Sequence, residues 1–160
     1  MTQSYFAIHR TILQEQDGVL LRDYLLRIER ISRRALKAIK FGEGDLLVNG
    51  EQKTVRCVLR GGDDLIIRFP PEAPSQSLLA EPMNLDIIYE DDHLIVLNKP
   101  ADLPVIPSQR HPRGTLANGV LYHFQQQGLS YTVHTVTRLD RDTSGLLLIA
   151  KHRHAHELFV

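Results

Sequence analysis

Apolar residues recur along the chain at spacings that predict a short series of elements. In LLRDYLLRI, residues 20–28, Leu20, Leu21, Tyr24, Leu25 and Ile28 follow helical spacing. A second helix is predicted to open at Ser32, a good N-cap, and to stop at Gly42, a good C-cap. At ~100° per residue its Arg33, Lys37 and Lys40 share one face, with Arg34 at the edge, and Ala35, Leu36 and Ile39 share the opposite face. DLLVNGEQ follows, a short apolar run ending in Asn49-Gly50, which predicts a tight hairpin turn. DLIIRF, 64–69, reads as a strand and completes a helix-helix-hairpin unit.

PPEAPSQSLLAEP, 70–82, carries four prolines and reads as a linker. Two strands follow at about 85–89 and 94–98, joined by the acidic turn 90–93. Pro100, Pro104 and Pro107 predict an irregular segment. A helix is predicted over 114–127 with Thr115 as N-cap, since Leu116, Val120, Leu121 and Phe124 keep helical spacing. A strand at 145–150 and a helix from Lys151, with Ala155, Leu158 and Phe159 on one face, close the chain. The pattern predicts an α+β protein.

Charge sharpens this division. Basic and acidic residues number 19 each, so the net charge exerts no global pull toward nucleic acid. Residues 18–69 nevertheless hold eleven basic and seven acidic side chains, and residues 70–92 hold six acids with no Lys or Arg. A basic module precedes an acidic segment. The single cysteine, Cys57, excludes an internal disulfide and a cysteine-based zinc site. No apolar run approaches the ~18 residues of a membrane span, so the expectation is a cytoplasmic protein without membrane contact.

Three stretches are candidates for chemistry. The Arg33, Arg34, Lys37 and Lys40 face is either a solvated surface or a phosphate-binding one; the absence of acids between 31 and 42 favours the second. HRHAHE, 152–157, brings His152 and His156 to one helix face, but no second cluster of ligand spacing accompanies it, and no metal is assigned. RLDRDTSG, 138–145, sets Asp140 between Arg138 and Arg141, and Asp142 just after Arg141, directly before an apolar run. Either it is a charged turn that caps backbone groups, or it mounts an ionised carboxylate as nucleophile or base at the mouth of a core strand. The spacing does not choose between Asp140 and Asp142.

TRLDRDTSGLLLIAK, 137–151, closely resembles the signature of the RluA-type RNA pseudouridine synthases. LNKPADLPVIPS, 97–108, with GTLANGVLYH, 114–123, resembles an upstream block of that family, and SRRALKAIKFGEGDLLVNG, 32–50, resembles the S4 RNA-binding domain that many members carry at the N-terminus. The three blocks occur in the family's order. The resemblance implies an S4-like domain over 1–69 with an N-terminal extension, a linker over 70–82, and the N-terminal part of a mixed-sheet catalytic domain over 83–160. It implies isomerisation of uridine in RNA, with ribosomal RNA the partner class, no cofactor and no obligatory protein partner. The essential carboxylate falls on Asp140, an RNA-contacting arginine on Arg138, and the phosphate-contacting helix on Arg33, Arg34, Lys37 and Lys40.

The chain departs from the family pattern at Thr137, where His is common, and at Asp102 and Ile106, where Gly and His are usual. It also stops at Val160, before the family's later blocks, which supply a uracil-stacking Tyr. The expectation is a fragment, inactive by itself, whose strand at 145–150 lacks partners. The competing reading is an inert S4-type RNA-binding fragment. A glycosylase built on the lone carboxylate is a third.

Overall fold

The computed structural model describes residues 5–73 and 75–160. Position 74, inside the segment read as linker, and residues 1–4 of the N-terminal extension lie outside the described residues. The chain forms two compact units, one running to Pro71 and one starting at Glu72.

In the first unit, strands β1 (Ala7–Thr11), β2 (Asp45–Val48), β3 (Glu51–Gln52) and β4 (Asp64–Arg68) form one antiparallel sheet in the order β1-β4-β2-β3. Asn49 and Gly50, both at positive φ, turn β2 into β3 as the Asn-Gly pair predicts. Strand β1 was not anticipated. AIHRT has one buried side chain, Ile8, and holds its place by pairing along the edge of β4.

The predicted helix over 20–28 is split. A single α turn, α1 (Leu21–Asp23), passes into a π-helical turn over Tyr24–Ile28, closed by Glu29 N–H donating to Tyr24 O at 3.0 Å. Tyr24 is buried and its hydroxyl donates to Glu29, while Arg30 takes the left-handed conformation, φ +55°, and redirects the chain. Helix α2 (Arg33–Phe41) has the predicted ends and faces. Ser32 Oγ accepts Ala35 N–H at 3.0 Å, and Ala35, Leu36 and Ile39 are buried among Ile8, Leu46, Leu65 and Ile67. A Cβ on Gly44 would lie 2.7 Å from Arg68 O, so the chain leaving α2 can lie against β4 only with glycine there.

The second unit is an antiparallel sheet in the order β5-β6-β8-β7, comprising β5 (Ile87–Glu90), β6 (Leu94–Lys99), β7 (His134–Thr135) and β8 (Gly145–Ala150). Every pairing in it is antiparallel, where the resemblance implies a mixed sheet for a complete domain. Strand β8 is not short of partners. It pairs with β6 over six residue pairs and with β7 over two. Helix α3 (Leu116–Gln126) covers one face, burying Leu116, Val120 and Phe124 against Ile95, Leu97, Leu147 and Ile149. Thr115 caps it in a reciprocal box with Asn118, whose side-chain amide also donates to Leu79 O.

Glu72 and Glu81, near the two ends of the segment read as linker, are held by contacts of this unit. Glu72 accepts from Thr132, His134 and the Arg153 N–H, and Glu81 accepts the Gly114 N–H. The last helix, α4 (Arg153–Phe159), begins two residues after Lys151, because His152 acts as N-cap through Nδ1, which accepts Ala155 N–H at 3.1 Å. Ala155 is buried, but Leu158 and Phe159 are exposed, so the predicted common face is only partly used.

Candidate active site

Asp140 lies in the loop between β7 and β8, and the fold braces that loop from three sides. At its start, Thr137 Oγ1 accepts Leu148 N–H at 3.2 Å, tying the loop to β8. At its tip, Thr143 N–H donates to Asp140 O at 3.1 Å and closes a tight turn around Arg141 and Asp142. At its base, the half-buried Leu139 packs on the second unit's core.

A further brace is a lysine. Lys99 ends β6 and is fully buried, because it continues the inward alternation of Ile95 and Leu97. Its ammonium has three donors and uses each on a backbone carbonyl: Pro100 O at 2.9 Å, Leu103 O at 2.8 Å and Arg141 O at 2.9 Å. Leu103 N–H donates to the same Arg141 carbonyl at 3.1 Å. A buried charge left unbonded would be strongly unfavourable, so these bonds hold the 100–103 turn against the residue that follows Asp140. The sequence reading missed Lys99. The signal was present: a lysine at the inward parity of an apolar strand.

The guanidinium of Arg141 does not reach toward Asp140. Its Nε and Nη2 donate to one Asp102 oxygen at 2.9 and 2.8 Å. Asp102 sits at φ +61°, a conformation that favours glycine, which accounts for Gly being usual at that position in the resembling family. Arg138, Asp140 and Asp142 are exposed. Among the described residues no hydrogen bond or ion pair engages the side chain of any of these three. A hollow of about 510 Å³, lined by Asn84, Leu85, Asp86 and Asn98 among others, shares Pro100 and Leu103 with the lysine clamp.

Behind β8 lies a polar network that the sequence reading did not foresee. Lys151, buried, pairs with Glu90 at 2.7 Å, and Glu90 also receives His123 Nε2 at 2.9 Å. Burial alone would raise the Glu90 carboxyl, but these two partners hold it below its ordinary range. His152 and His93 share a 3.2 Å hydrogen bond. Among the described residues no three His, Cys, Asp or Glu side chains converge to hold a metal ion.

In the first unit, Arg33, Arg34, Lys37 and Lys40 are all exposed on α2. The ion pairs of that unit use Arg10, Lys53 and Arg68 instead, and among the described residues none engages the α2 cations. Among the described residues no helix is long and apolar enough to cross a membrane.

Sequence comparison identifies relatives of this chain. The family described as RNA pseudouridylate synthase matches residues 93–159, from the start of β6 to the end of α4. The chain is 57% identical over 128 residues to the uncharacterized RNA pseudouridine synthase YjbO of Bacillus subtilis, covering 80% of this chain and 45% of that protein. It is 35% identical to YhcT of the same organism, again an uncharacterized RNA pseudouridine synthase, over 99% of this chain and 52% of the relative. It is 38% identical to the ribosomal large subunit pseudouridine synthase D of Pseudomonas aeruginosa, over 74% of this chain and 37% of the relative. The chain thus spans about half the length, or less, of the curated relatives it matches. Residues 93–159 and these relatives give the chain a family-level match to the RNA pseudouridine synthases.

Proposed function

We propose that the protein of which this chain is at least a part isomerises uridine to pseudouridine in structured RNA, with Asp140 as the catalytic carboxylate. The observation that carries the reading is the mounting of Asp140. An exposed carboxylate stands on a turn that a buried lysine and the Thr137 hydroxyl hold in place. A reactive group needs such support to meet its substrate reproducibly. In the reaction the C–N glycosidic bond breaks, the uracil turns while held, and C5 bonds to the ribose. Asp140 acts on the sugar or the base as nucleophile or proton acceptor. The target uridine leaves its stack at a cost of a few kcal/mol, which is lowest in loops. Arg138, exposed two residues before Asp140, contacts the RNA near the flipped base.

The first unit serves as an S4-like RNA-binding domain that grips phosphates through Arg33, Arg34, Lys37 and Lys40. Ribosomal RNA is the proposed target, by similarity to relatives named as ribosomal large subunit enzymes. A cytoplasmic location follows from that substrate.

The test is pseudouridine content of RNA from cells producing the protein or its Asp140→Asn variant. Asn keeps the shape and removes the charge. The expected result is loss of the modification with RNA binding retained, while Asp142→Asn stays close to wild type. Activity in Asp140→Asn, or its loss only in Asp142→Asn, overturns the assignment. A second reading has one observation in its favour. Asp140 is exposed and no side chain among the described residues engages it, which fits a 160-residue chain that binds RNA through α2 and does not catalyse. Pseudouridine formed by this chain alone would overturn that.

A further inference from the structure

Both ends of α2 carry features that the phosphate-binding face does not account for. At the N-terminal end, Arg22, Arg27, Arg30 and Arg33 line one groove of about 570 Å³, with Asp23 the only carboxylate in its wall. All four arginines are exposed. They come together because of the π-turn and the left-handed Arg30, which bend the chain back between α1 and α2. At the C-terminal end stands Phe41, 76% exposed, with the Lys40 ammonium 5.2 Å from its ring centroid. Beside it, Lys40 and Lys53 border a second groove of about 340 Å³ with Gln52, Thr54 and Asp45. Asp45 is engaged by Arg68 at 3.8 Å and by Gln52 at 3.2 Å.

A large aromatic left in water amid cations is unfavourable for a surface that only solubilises a helix. It is what a single-stranded nucleic acid uses: cations for the phosphates and a flat apolar ring for a base. The nine residues of α2 span about 13 Å between these features, the axial rise of roughly four stacked nucleotides. A duplex offers no base face for Phe41 to meet, since its bases are already stacked on each other.

We propose that the first unit binds single-stranded RNA along α2, with a backbone phosphate seated in the groove of Arg22, Arg27, Arg30 and Arg33 and an unpaired base stacked on Phe41. The phosphate seat extends the binding face beyond Arg33, Arg34, Lys37 and Lys40. The stacked base makes the surface selective for unpaired RNA. This rests on the RNA-modifying reading above, but the two fail separately: pseudouridine content reports on Asp140, and strand affinity reports on Phe41.

The experiment is fluorescence anisotropy of the 160-residue chain with a labelled single-stranded oligoribonucleotide and with the same strand annealed to its complement, across a salt series. Phe41 is exposed, so its variants leave the core intact. Phe41→Ala is expected to weaken single-strand binding roughly five- to 150-fold, with the salt slope unchanged and duplex binding unaffected. Phe41→Tyr is expected to restore it. A 2-aminopurine base in the strand is expected to change fluorescence on binding to wild type and not to Phe41→Ala. Arg22, Arg27 and Arg30 changed together to Ala are expected to lower the slope of log K against log salt by about 0.7, the contribution of the one phosphate that the groove seats. Wild-type affinity in Phe41→Ala, an equal loss on duplex and single strand, or no single-strand binding by the wild type overturns the stacking proposal. An unchanged slope in the triple variant overturns the phosphate seat.

Discussion

The Lys99 ammonium donates to Arg141 O across 2.9 Å, joining residues 42 apart in the sequence. The bond sets the turn that carries Asp140 against the end of β6. Lys99→Met keeps the apolar stem and removes all three carbonyl contacts. Unfolding free energy is expected to fall by about 1–3 kcal/mol, because three part-buried carbonyls lose a charged donor. Pseudouridine formation is expected to fall further than RNA affinity does, since the loop loosens while α2 is untouched. Denaturant titration and modification assays of Lys99→Met check both parts; equal losses in binding and turnover would contradict the positioning role.

Asp102 trades backbone strain for an ion pair. Its exposed pair with Arg141 is worth at most about 1 kcal/mol, and its left-handed φ costs a similar amount. Asp102→Gly is therefore expected to be stable to within about 1 kcal/mol of wild type. Asp102→Ala keeps the strain and loses the pair, so it should be the less stable of the two. Urea midpoints of the three proteins rank them.

Acid should weaken the second unit in two stages. Burial, aided by the nearby His93 and His154, pushes His152 down to about 3. Its Nδ1 accepts from Ala155 N–H, so the ring proton sits on Nε2 and points to His93. A second proton would have to displace the helix cap. A depressed histidine means the unfolded chain binds the proton more readily. The stability it contributes is complete above pH 6.5 and is lost as pH falls toward 3. For Glu72, burial acts to raise the carboxyl, but bonds from His134, Thr132 and the Arg153 N–H prevail and bring it to about 2. Its contribution is complete above 4.5 and is lost between 4.5 and about 2. Between pH 7 and 5 the His152 effect alone amounts to about 2 kcal/mol. Thermal midpoints measured across this range should drop for wild type and drop less for His152→Asn, which can still cap α4.

The α2 cations should act as phosphate contacts without sequence preference. Replacing Arg33, Arg34, Lys37 and Lys40 with Ala is expected to weaken binding to many RNAs alike. At roughly 0.7 per contact on single strands, the salt slope should fall by about 3. An unchanged slope in the quadruple variant removes this face from the interface.

By itself the sequence determined what depends on neighbours a few residues away. The caps at Ser32 and Thr115, the cationic and apolar faces of α2, the Asn49-Gly50 turn and strands β6 and β8 were legible, because capping, turn chemistry and apolar period are local signals. The signature around Asp140 was legible as a pattern, and residues 93–159 match the family to which that pattern points. The tertiary structure decided what depends on distant partners. AIHRT becomes β1 only because β4 offers an open edge, and Lys99 becomes a clamp only because the Pro100, Leu103 and Arg141 carbonyls meet at its ammonium. Arg141 turns to Asp102, and His152 stays neutral between His93 and the Ala155 N–H, through contacts 39 and 59 residues long in sequence and a local cap. Periodicity along a chain reports which face a residue takes; it carries no term for which polar groups meet there, and desolvation makes those meetings decisive once the core closes.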